Sequence, residues 1–380
     1  MLQPDVKAVS VDDHIIEPPH LWRDFIEPAF RYQAPRLVSE ASHDAWYVDS
    51  KMVGHIGIMA AAGQRFGDPA KLKHRGRWES IPKAAYDPVE YTKALEVDGM
   101  SAAVLYPTWC LFWMNAGSVG LVNAICRAYN RWLADFCASE PHALKGVAMI
   151  LNSDIDWALQ ELAWAKKAGM VGAMIPVLPG REMSLDDARM ELFWAQAAEL
   201  DMPLSFHIGA YRPGTNELDQ SSDRAIESSN QVINAAIRST TDLYVRRAIA
   251  TLIFAGVFER HPKLKVVSVE YELGWVPHFL NQMDFTYHER QFWTPVRFAD
   301  NRKPSDVWRA NVFITFMEDA LGIQHRNLIG MENMMWGSDF PHSESTWPES
   351  RRILGQVLAD VPAAEQRQMT NGNVSRLYHL

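Results

Sequence analysis

The chain has 380 residues, of which 48% are hydrophobic, and a formal net charge of -9. This acidic balance argues against binding to a nucleic-acid backbone, and the sequence lacks both an 18-residue apolar stretch and a leader-like N-terminus. The 3 cysteines are too few for a disulfide framework and none has CxxC spacing, so we expect reduced thiols. We therefore expect a cytoplasmic protein that acts on a small molecule, with neither a nucleic acid nor a membrane as partner.

Eight short apolar segments alternate with helical patterns along the chain. In order they are AVSVD (8–12), SAAVLYP (101–107), LKGVAMI (144–150), VGAMIPV (171–177), PLSFHIG (203–209), LKVVSVE (264–270), NVFITF (311–316) and NMMWGSD (333–339). Between them, runs such as DWALQELAWAKKAG place apolar residues at helical spacing. The alternation predicts an α/β fold, a single (β/α)8 TIM barrel over residues 1–380. A doubly wound open sheet is the alternative, but no glycine-rich phosphate loop follows the first segment.

The stretch 18–88 interrupts this alternation. It is rich in Trp, Gly, Pro and charged residues, and it follows the first predicted strand directly. We expect an insertion that either caps the mouth of the barrel, excluding water, or forms an oligomer contact. A homodimer is the expected assembly.

Acidic and histidine residues occur where the predicted strands end, which is the active face of a TIM barrel. They are Asp12, His14, His207, Glu270 and Asp339. Asp12 and His14 are two residues apart, so both side chains point to the same face of an extended strand. Each residue alone is also explained by an ordinary buried contact, and the prediction depends on their coincidence. Two imidazoles and three carboxylates predict one or two divalent ions, with zinc first and manganese or iron as alternatives.

A nucleophilic mechanism fits the sequence less well. There is no G-x-S-x-G motif, and no cysteine stands at the end of a predicted strand.

Four motifs together resemble those of the amidohydrolase-related family. They are the opening DxHxxEP, FERHPKLKVV before the sixth strand, WGSDFPHSESTWP at the eighth, and the closing NGNVSRLYHL. The family branch includes aminocarboxymuconate-semialdehyde decarboxylase and the resorcylate decarboxylases. The resemblance implies metal ligands at Asp12, His14, His207 and Asp339, with Asp12 where relatives carry histidine or glutamate.

Glu270 departs from the family pattern, because the decarboxylases carry a catalytic histidine there. An acid at the end of a buried strand needs a cation or a proton, and beside a divalent ion we expect Glu270 to stay ionised. Together with Asp12 and Asp339 it would make the site net negative and repel a carboxylate substrate. This charge count favours a hydrolase over a decarboxylase, unless an arginine or lysine elsewhere compensates.

The predicted hydrolase would use metal-activated water on a hydrophobic or aromatic ester, thioester, amide or C–C bond. Asp339 would move the proton, Glu270 would share that task or ligate, and His342 would hydrogen-bond the substrate oxygen. The alternative is a metal-dependent non-oxidative decarboxylase of an aromatic or muconate-type acid. A barrel that binds ligand without catalysis is a second alternative.

Glu17 and four tryptophans are further candidates for the site. Glu17, three residues beyond His14, suits a structural turn contact as well as a site role. Among the 14 tryptophans, Trp109, Trp113, Trp275 and Trp347 follow predicted strands, where loops line the pocket. They favour a large, flat substrate.

Overall fold

In the computed structural model the described residues are 6–68, 72–73, 75–114, 116–178, 183–210, 231–294 and 296–380, with the backbone alone for 231–234. One sheet has eight strands, which lie side by side in the order in which they occur along the chain. Its strands are β1 (Ala8–Ile15), β5 (Met100–Pro107), β6 (Leu144–Met149), β7 (Gly172–Met174), β8 (Leu204–His207), β9 (Val266–Val269), β10 (Val312–Phe316) and β11 (Met334–Trp336). All the pairings are parallel, and each strand coincides with one of the eight predicted segments. The predicted (β/α)8 TIM barrel is confirmed.

The first strand and the chain beyond the last strand close the barrel. The backbone N–H of Asp339 donates to the carbonyl oxygen of Asp12 at 2.7 Å, and that of His14 donates to the carbonyl of Phe340 at 2.6 Å. Gly337 permits this approach, because a Cβ there would lie 2.4 Å from the Cβ of Asp12. The closure therefore brings β1 and the residues after β11 together at the carboxyl ends of the strands.

Helices surround the barrel. In the described ranges they are Pro19–Phe25, Pro88–Asp98, Trp109–Trp113, Val119–Ser139, Ile155–Lys167, Glu191–Glu199, Gln231–Arg238, Asp242–Phe254, Val257–Arg260, Val276–Glu289, Pro304–Asn311, Ala320–Gln324, Arg326–Ile329, Ser350–Val357, Ala363–Arg367 and Asn373–Tyr378. The long helix Val119–Ser139 shows the pattern clearly, with a buried apolar face against β6 and a Ser118 side chain that caps its first turn. None of these helices combines the length and apolar character needed to cross a bilayer.

The stretch 18–88 contains a second, antiparallel sheet. Its strands are β2 (Arg36–Ser39), β3 (Asp44–Val48) and β4 (Lys51–His55). Buried tryptophans join this sheet to the loop after β5, with the rings of Trp22 and Trp46 each 5.3 Å from the ring of Trp113. The stretch is thus packed on the side of the barrel where the strands end.

Candidate metal centre

Asp12, His14, His207 and Asp339 come together at the carboxyl ends of the barrel strands. Each is at most 5% exposed. Asp12 Oδ1 lies 3.3 Å from His207 Nε2 and 3.6 Å from His14 Nε2, and His14 Nε2 lies 3.5 Å from Asp339 Oδ1. Ligand atoms that surround one ion at about 2 Å are separated by similar distances.

Backbone carbonyls orient the two imidazole rings. His14 Nδ1 lies 2.7 Å from the carbonyl oxygen of Pro107, and His207 Nδ1 lies 2.8 Å from that of Ile208. Because a carbonyl only accepts hydrogen bonds, Nδ1 carries the hydrogen and Nε2 presents its lone pair to the centre. His14 Nε2 is buried and has no hydrogen-bond partner. This is the arrangement expected of a metal-ligating histidine.

Asp339 also has an unsatisfied atom. Its Oδ1 is buried without a hydrogen-bond partner. His342 Nδ1 lies 2.7 Å from this oxygen, but the geometry of the contact is not that of a hydrogen bond. The other nitrogen of His342 is 3.0 Å from Thr108 Oγ1, and its ring centroid is 4.1 Å from that of His14. His342 therefore lies beside the centre, held by Thr108, with Asp339 as its neighbour.

Burial and neighbouring groups set the charges at the centre. Burial, and then the proximity of another histidine ring, lowers the pKa of both His14 and His342 to about 3, so both are neutral at neutral pH. Burial alone would raise the pKa of Asp12, but the contacts with the imidazoles of His14 and His207 outweigh it and hold that pKa below its ordinary value. The side chains on β1 thus stand in the protonation states that a metal ion requires.

Glu270 lies at the edge of this cluster. Its Oε2 is 3.5 Å from His207 Nδ1, the nitrogen that faces away from Asp12. Glu270 belongs to neither of the two groups of described residues whose ligand atoms all lie within 4.8 Å of one another. These groups are Asp12–His14–His207 and His14–Asp339–His342. Its role as a metal ligand or in catalysis remains a prediction.

The expectation that Glu270 is ionised does not agree with its surroundings. Burial, and then the negative charges of Asp339 and Asp12, raise the pKa of Glu270 well above its ordinary value. These surroundings favour the neutral form of Glu270, which would not add the third negative charge on which the argument against a carboxylate substrate depended. That argument relied on the charge of a nearby divalent ion to keep Glu270 ionised, whereas burial and the two facing carboxylates act in the opposite direction.

The backbone at the ends of β9 and β11 adopts an uncommon conformation. Glu270, Glu272 and Asp339 have φ angles of 66°, 55° and 60°. These values lie in the left-handed region, which residues other than glycine rarely adopt. Such residues concentrate at functional sites, where the surrounding structure holds them. Here all three side chains line the same cavity.

This cavity, of about 430 Å³, opens beside Asp12, His14, His207 and Asp339, which we call the metal-ligand cluster after their expected role. Trp275 lines it, as predicted, but the other three candidate tryptophans are not among its described lining residues. Trp109 packs against Gly54, Trp113 contacts Trp22 and Trp46, and the indole N–H of Trp347 donates to the carbonyl of Ala94. These three rings bury the insertion and the nearby loops instead of forming a substrate platform.

Glu17 has a structural contact. Its buried carboxylate accepts the backbone N–H groups of Thr108, Trp109 and Cys110 at 2.9–3.1 Å, where the helix Trp109–Trp113 begins. Glu17 therefore links the end of β1 to the residues that follow β5. Of the two roles that the sequence left open for Glu17, the structural contact is the one observed.

Sequence reasoning missed three polar residues near the centre. Thr108, which contacts His342, directly follows the second predicted barrel strand, so the strand-end rule could have found it. Glu272, which lines the cavity, stands two residues beyond Glu270 and carries the same signal. Arg238 also lines the cavity, but it comes from the long connection after β8, where no pattern marked it.

Comparison with known proteins agrees with this architecture. The family model described as Amidohydrolase matches residues 114–380. The chain belongs to the amidohydrolase family. It is 27% identical over 234 residues to gamma-resorcylate decarboxylase of Rhodococcus jostii (strain RHA1), a match that covers 57% of this chain and 66% of the relative, less than two thirds of its length.

Two solved structures show the same fold. An amidohydrolase from Mycobacterium avium subsp. paratuberculosis K-10 superposes with a TM-score of 0.79 at 18% identity, over 99% of this chain and 98% of that one. A dihydroxybenzoic acid decarboxylase from Polaromonas sp. JS666, solved with bound manganese and the inhibitor 2-nitroresorcinol, superposes with a TM-score of 0.63 at 16% identity, over 98% and 97%.

The similarity to a decarboxylase corrects the predicted reaction. The sequence favoured a hydrolase. The relative from Rhodococcus jostii is a decarboxylase instead, as are several proteins of similar structure. The hydrolase prediction, which rested on an ionised Glu270, was therefore wrong, and the decarboxylase alternative is the better supported one.

Proposed function

We propose that this protein is a metal-dependent, non-oxidative decarboxylase of an aromatic carboxylic acid. The observation that carries the proposal is the pair of buried, unpartnered atoms, His14 Nε2 and Asp339 Oδ1, 3.5 Å apart beside the cavity. They indicate a cation site, and the similarity to gamma-resorcylate decarboxylase supports this reaction at it.

Asp12, His14, His207 and Asp339 would hold the ion. Two neutral imidazoles with two carboxylates suit zinc, manganese or iron, and manganese is present in the related dihydroxybenzoic acid decarboxylase. When bound, the ion supplies positive charge that draws in the substrate's oxygens and offsets negative charge that develops in the reaction.

The reaction needs a proton donor as well as an ion. The bond between the ring and the carboxylate breaks, carbon dioxide leaves, and the electron pair stays with the ring carbon, which takes up a proton. Asp339 lines the cavity, and its carboxyl group has two oxygens, so one can carry the proton while the other, Oδ1, faces His14 in the centre. We assign Asp339 the task of delivering that proton, with His342 and Thr108 holding the group beside it in place.

The stretch 18–88 is proposed as a cap that keeps water out of the cavity. It contacts loops at the carboxyl ends of the strands. The N–H of Ser343 donates to the carbonyl of Ile58, and the N–H of Ala62 donates to the carbonyl of Pro341, both at 3.0 Å. Arg65 also forms an ion pair with Glu318. Cleavage within this stretch by limited proteolysis should reduce turnover. An unchanged turnover and oligomeric state after cleavage would contradict the cap.

The predicted homodimer is a separate proposal, and light scattering on the intact chain tests it.

The proposed reaction is tested by carbon dioxide release. Protein stripped of metal and reloaded with manganese or zinc is incubated with 2,6-dihydroxybenzoate and with other hydroxylated aromatic acids. We expect release from at least one acid, dependent on metal, and a loss of about 10²-fold or more in Asp339→Asn. The exposed substitution Asp300→Asn serves as the matched control and should have no effect. Release that is equal with and without metal would contradict the proposal.

A further inference from the structure

The cavity is strongly acidic. Its charged lining residues in the described part of the chain include six acids, Asp12, Asp242, Glu270, Glu272, Asp339 and Glu344, and a single base, Arg238. A carboxylate that enters such a cavity needs positive charge to offset this field, even where some of the acids hold protons. A bound divalent ion provides part of it. Arg238 is the protein's own contribution among the described lining residues.

Arg238 is held loosely. Its guanidinium lies 3.9 Å from a carboxylate oxygen of Glu344, and the two side chains are 71% and 65% exposed. An ion pair this long and this exposed contributes little to stability. By contrast, Glu161 is 1% exposed and pairs with both Arg131 and Arg127, as expected for an ion pair that holds the fold together. Arg238 can therefore change partner at little cost, whereas Arg131 cannot.

The two residues come from separate parts of the chain that meet at the cavity. Arg238 is the last residue of the helix Gln231–Arg238, and Glu344 follows Asp339 in the loop after β11. A basic residue at the end of a helix also has a favourable interaction with the helix dipole, so its presence alone does not show a ligand. Its position at the cavity, opposite a competing acid, is the feature that points to one.

We propose that Arg238 binds the carboxylate of the aromatic acid substrate and that Glu344 occupies Arg238 until the substrate displaces it. The inference rests on the proposed function, since it assumes an aromatic carboxylate. Arginine suits this role because its planar guanidinium can donate two parallel hydrogen bonds to a carboxylate. Glu344 would then set the affinity by competing for Arg238, and it would disfavour neutral ring compounds, which cannot displace it.

The test is calorimetric binding of 2,6-dihydroxybenzoate to manganese-loaded protein, with 1,3-dihydroxybenzene, which lacks the carboxylate, as the neutral probe. Arg238→Ala should weaken binding of the acid by about tenfold or more, while Arg238→Lys keeps part of the affinity. Glu344→Gln should strengthen binding by about threefold, and it should have no such effect when Arg238 is already alanine. The exposed Arg352→Ala, whose arginine pairs with Glu349, is the matched control and should bind as the unmodified protein does.

A dissociation constant for Arg238→Ala within about twofold of the unmodified value would overturn the inference, as would equal weakening for the acid and the neutral probe. Absence of acid binding to the unmodified protein would overturn it too.

Thermal unfolding of each variant separates a binding loss from a folding defect, and Arg238→Lys repeats the test if Arg238→Ala is unstable. Binding that depends on Arg238 without carbon dioxide release would contradict the proposed function alone. Release with an unchanged KM in Arg238→Ala would contradict this inference alone.

Discussion

Two neighbouring acids on β1 lie in different surroundings. Asp13 Oδ1 accepts hydrogen bonds from the hydroxyls of Ser10 and Ser338, both at 2.6 Å, and Tyr91 OH lies 3.4 Å from Oδ2. Asp12 instead faces imidazole nitrogens at the metal-ligand cluster. Both acids are at most 5% exposed, so burial alone does not separate a structural carboxylate from a functional one. The difference is whether the protein itself completes the hydrogen bonds around the group.

The two surroundings also give the acids opposite pKa shifts. Burial raises the pKa of Asp13 to about 7, even though the two serine hydroxyls act in the other direction. For Asp12 burial acts the same way, but the contacts with the imidazoles of His14 and His207 outweigh it and lower the pKa. A negative charge is thus favoured on the side of β1 that faces the cavity, which is where a cation would bind.

The largest effect is expected when the functional side of this comparison is broken. Asp12→Asn keeps the shape of the side chain and removes its charge, so bound metal should fall well below one equivalent and turnover by about 10³-fold. Elemental analysis and carbon dioxide release measure the two quantities. A variant that retains its metal and turnover would show that Asp12 is as structural as Asp13.

Breaking the structural side should affect folding instead. Asp13→Ala leaves the buried hydroxyls of Ser10 and Ser338 without their acceptor, and we expect the free energy of unfolding to fall by about 2–4 kcal/mol. Urea denaturation of the metal-free protein gives this value. The folded variant should still bind one equivalent of metal, and a stability equal to that of the unmodified protein would remove the contrast between the two acids.

A smaller stability effect is expected at Glu17, the third acid of the opening motif. Glu17→Ala removes the acceptor of three backbone N–H groups, and the free energy of unfolding should fall by about 1–3 kcal/mol. Urea denaturation measures the change, with Glu17→Gln, which retains one carbonyl acceptor, as the milder companion. Loss of metal from a fully folded Glu17→Gln would assign this residue to the centre after all.

The smallest effect concerns pH. Burial, which outweighs the hydrogen bonds from Ser350, raises the pKa of Asp98 from its ordinary value of 3.8 to about 6. Between these values the folded state holds a proton that the unfolded state has lost, so this contribution to stability is complete below pH 3.8 and is lost as the pH rises through about 6. Asp98→Asn should remove about 1–3 kcal/mol of that decline, seen as a flatter profile of unfolding free energy against pH. A profile parallel to that of the unmodified protein would contradict the shift.

The barrel was predicted correctly, and the predicted site residues lie close together, because both features follow from local rules. Apolar segments alternating with helices define the eight strands, and barrel closure then brings residues at strand ends such as His207 and Asp339 together. The direction of the Glu270 pKa shift was beyond reach, since it depends first on how deeply the side chain is buried and then on its distances to Asp339 and Asp12, and the sequence pattern shows neither. Trp113 was misplaced because its ring contacts Trp22 and Trp46, which lie in a segment whose packing had no periodic signal.

The central claim is that an aromatic acid loses its carboxylate at the metal-ligand cluster. Nuclear magnetic resonance of the product, formed in deuterium oxide by manganese-loaded protein from 2,6-dihydroxybenzoate or another acid of the panel that is turned over, tests it most directly. The account predicts one solvent deuteron on the ring carbon that carried the carboxylate, one equivalent of bicarbonate, and neither product when Asp12→Asn replaces the unmodified protein. Recovery of every acid unchanged, or products formed equally by Asp12→Asn, would contradict it.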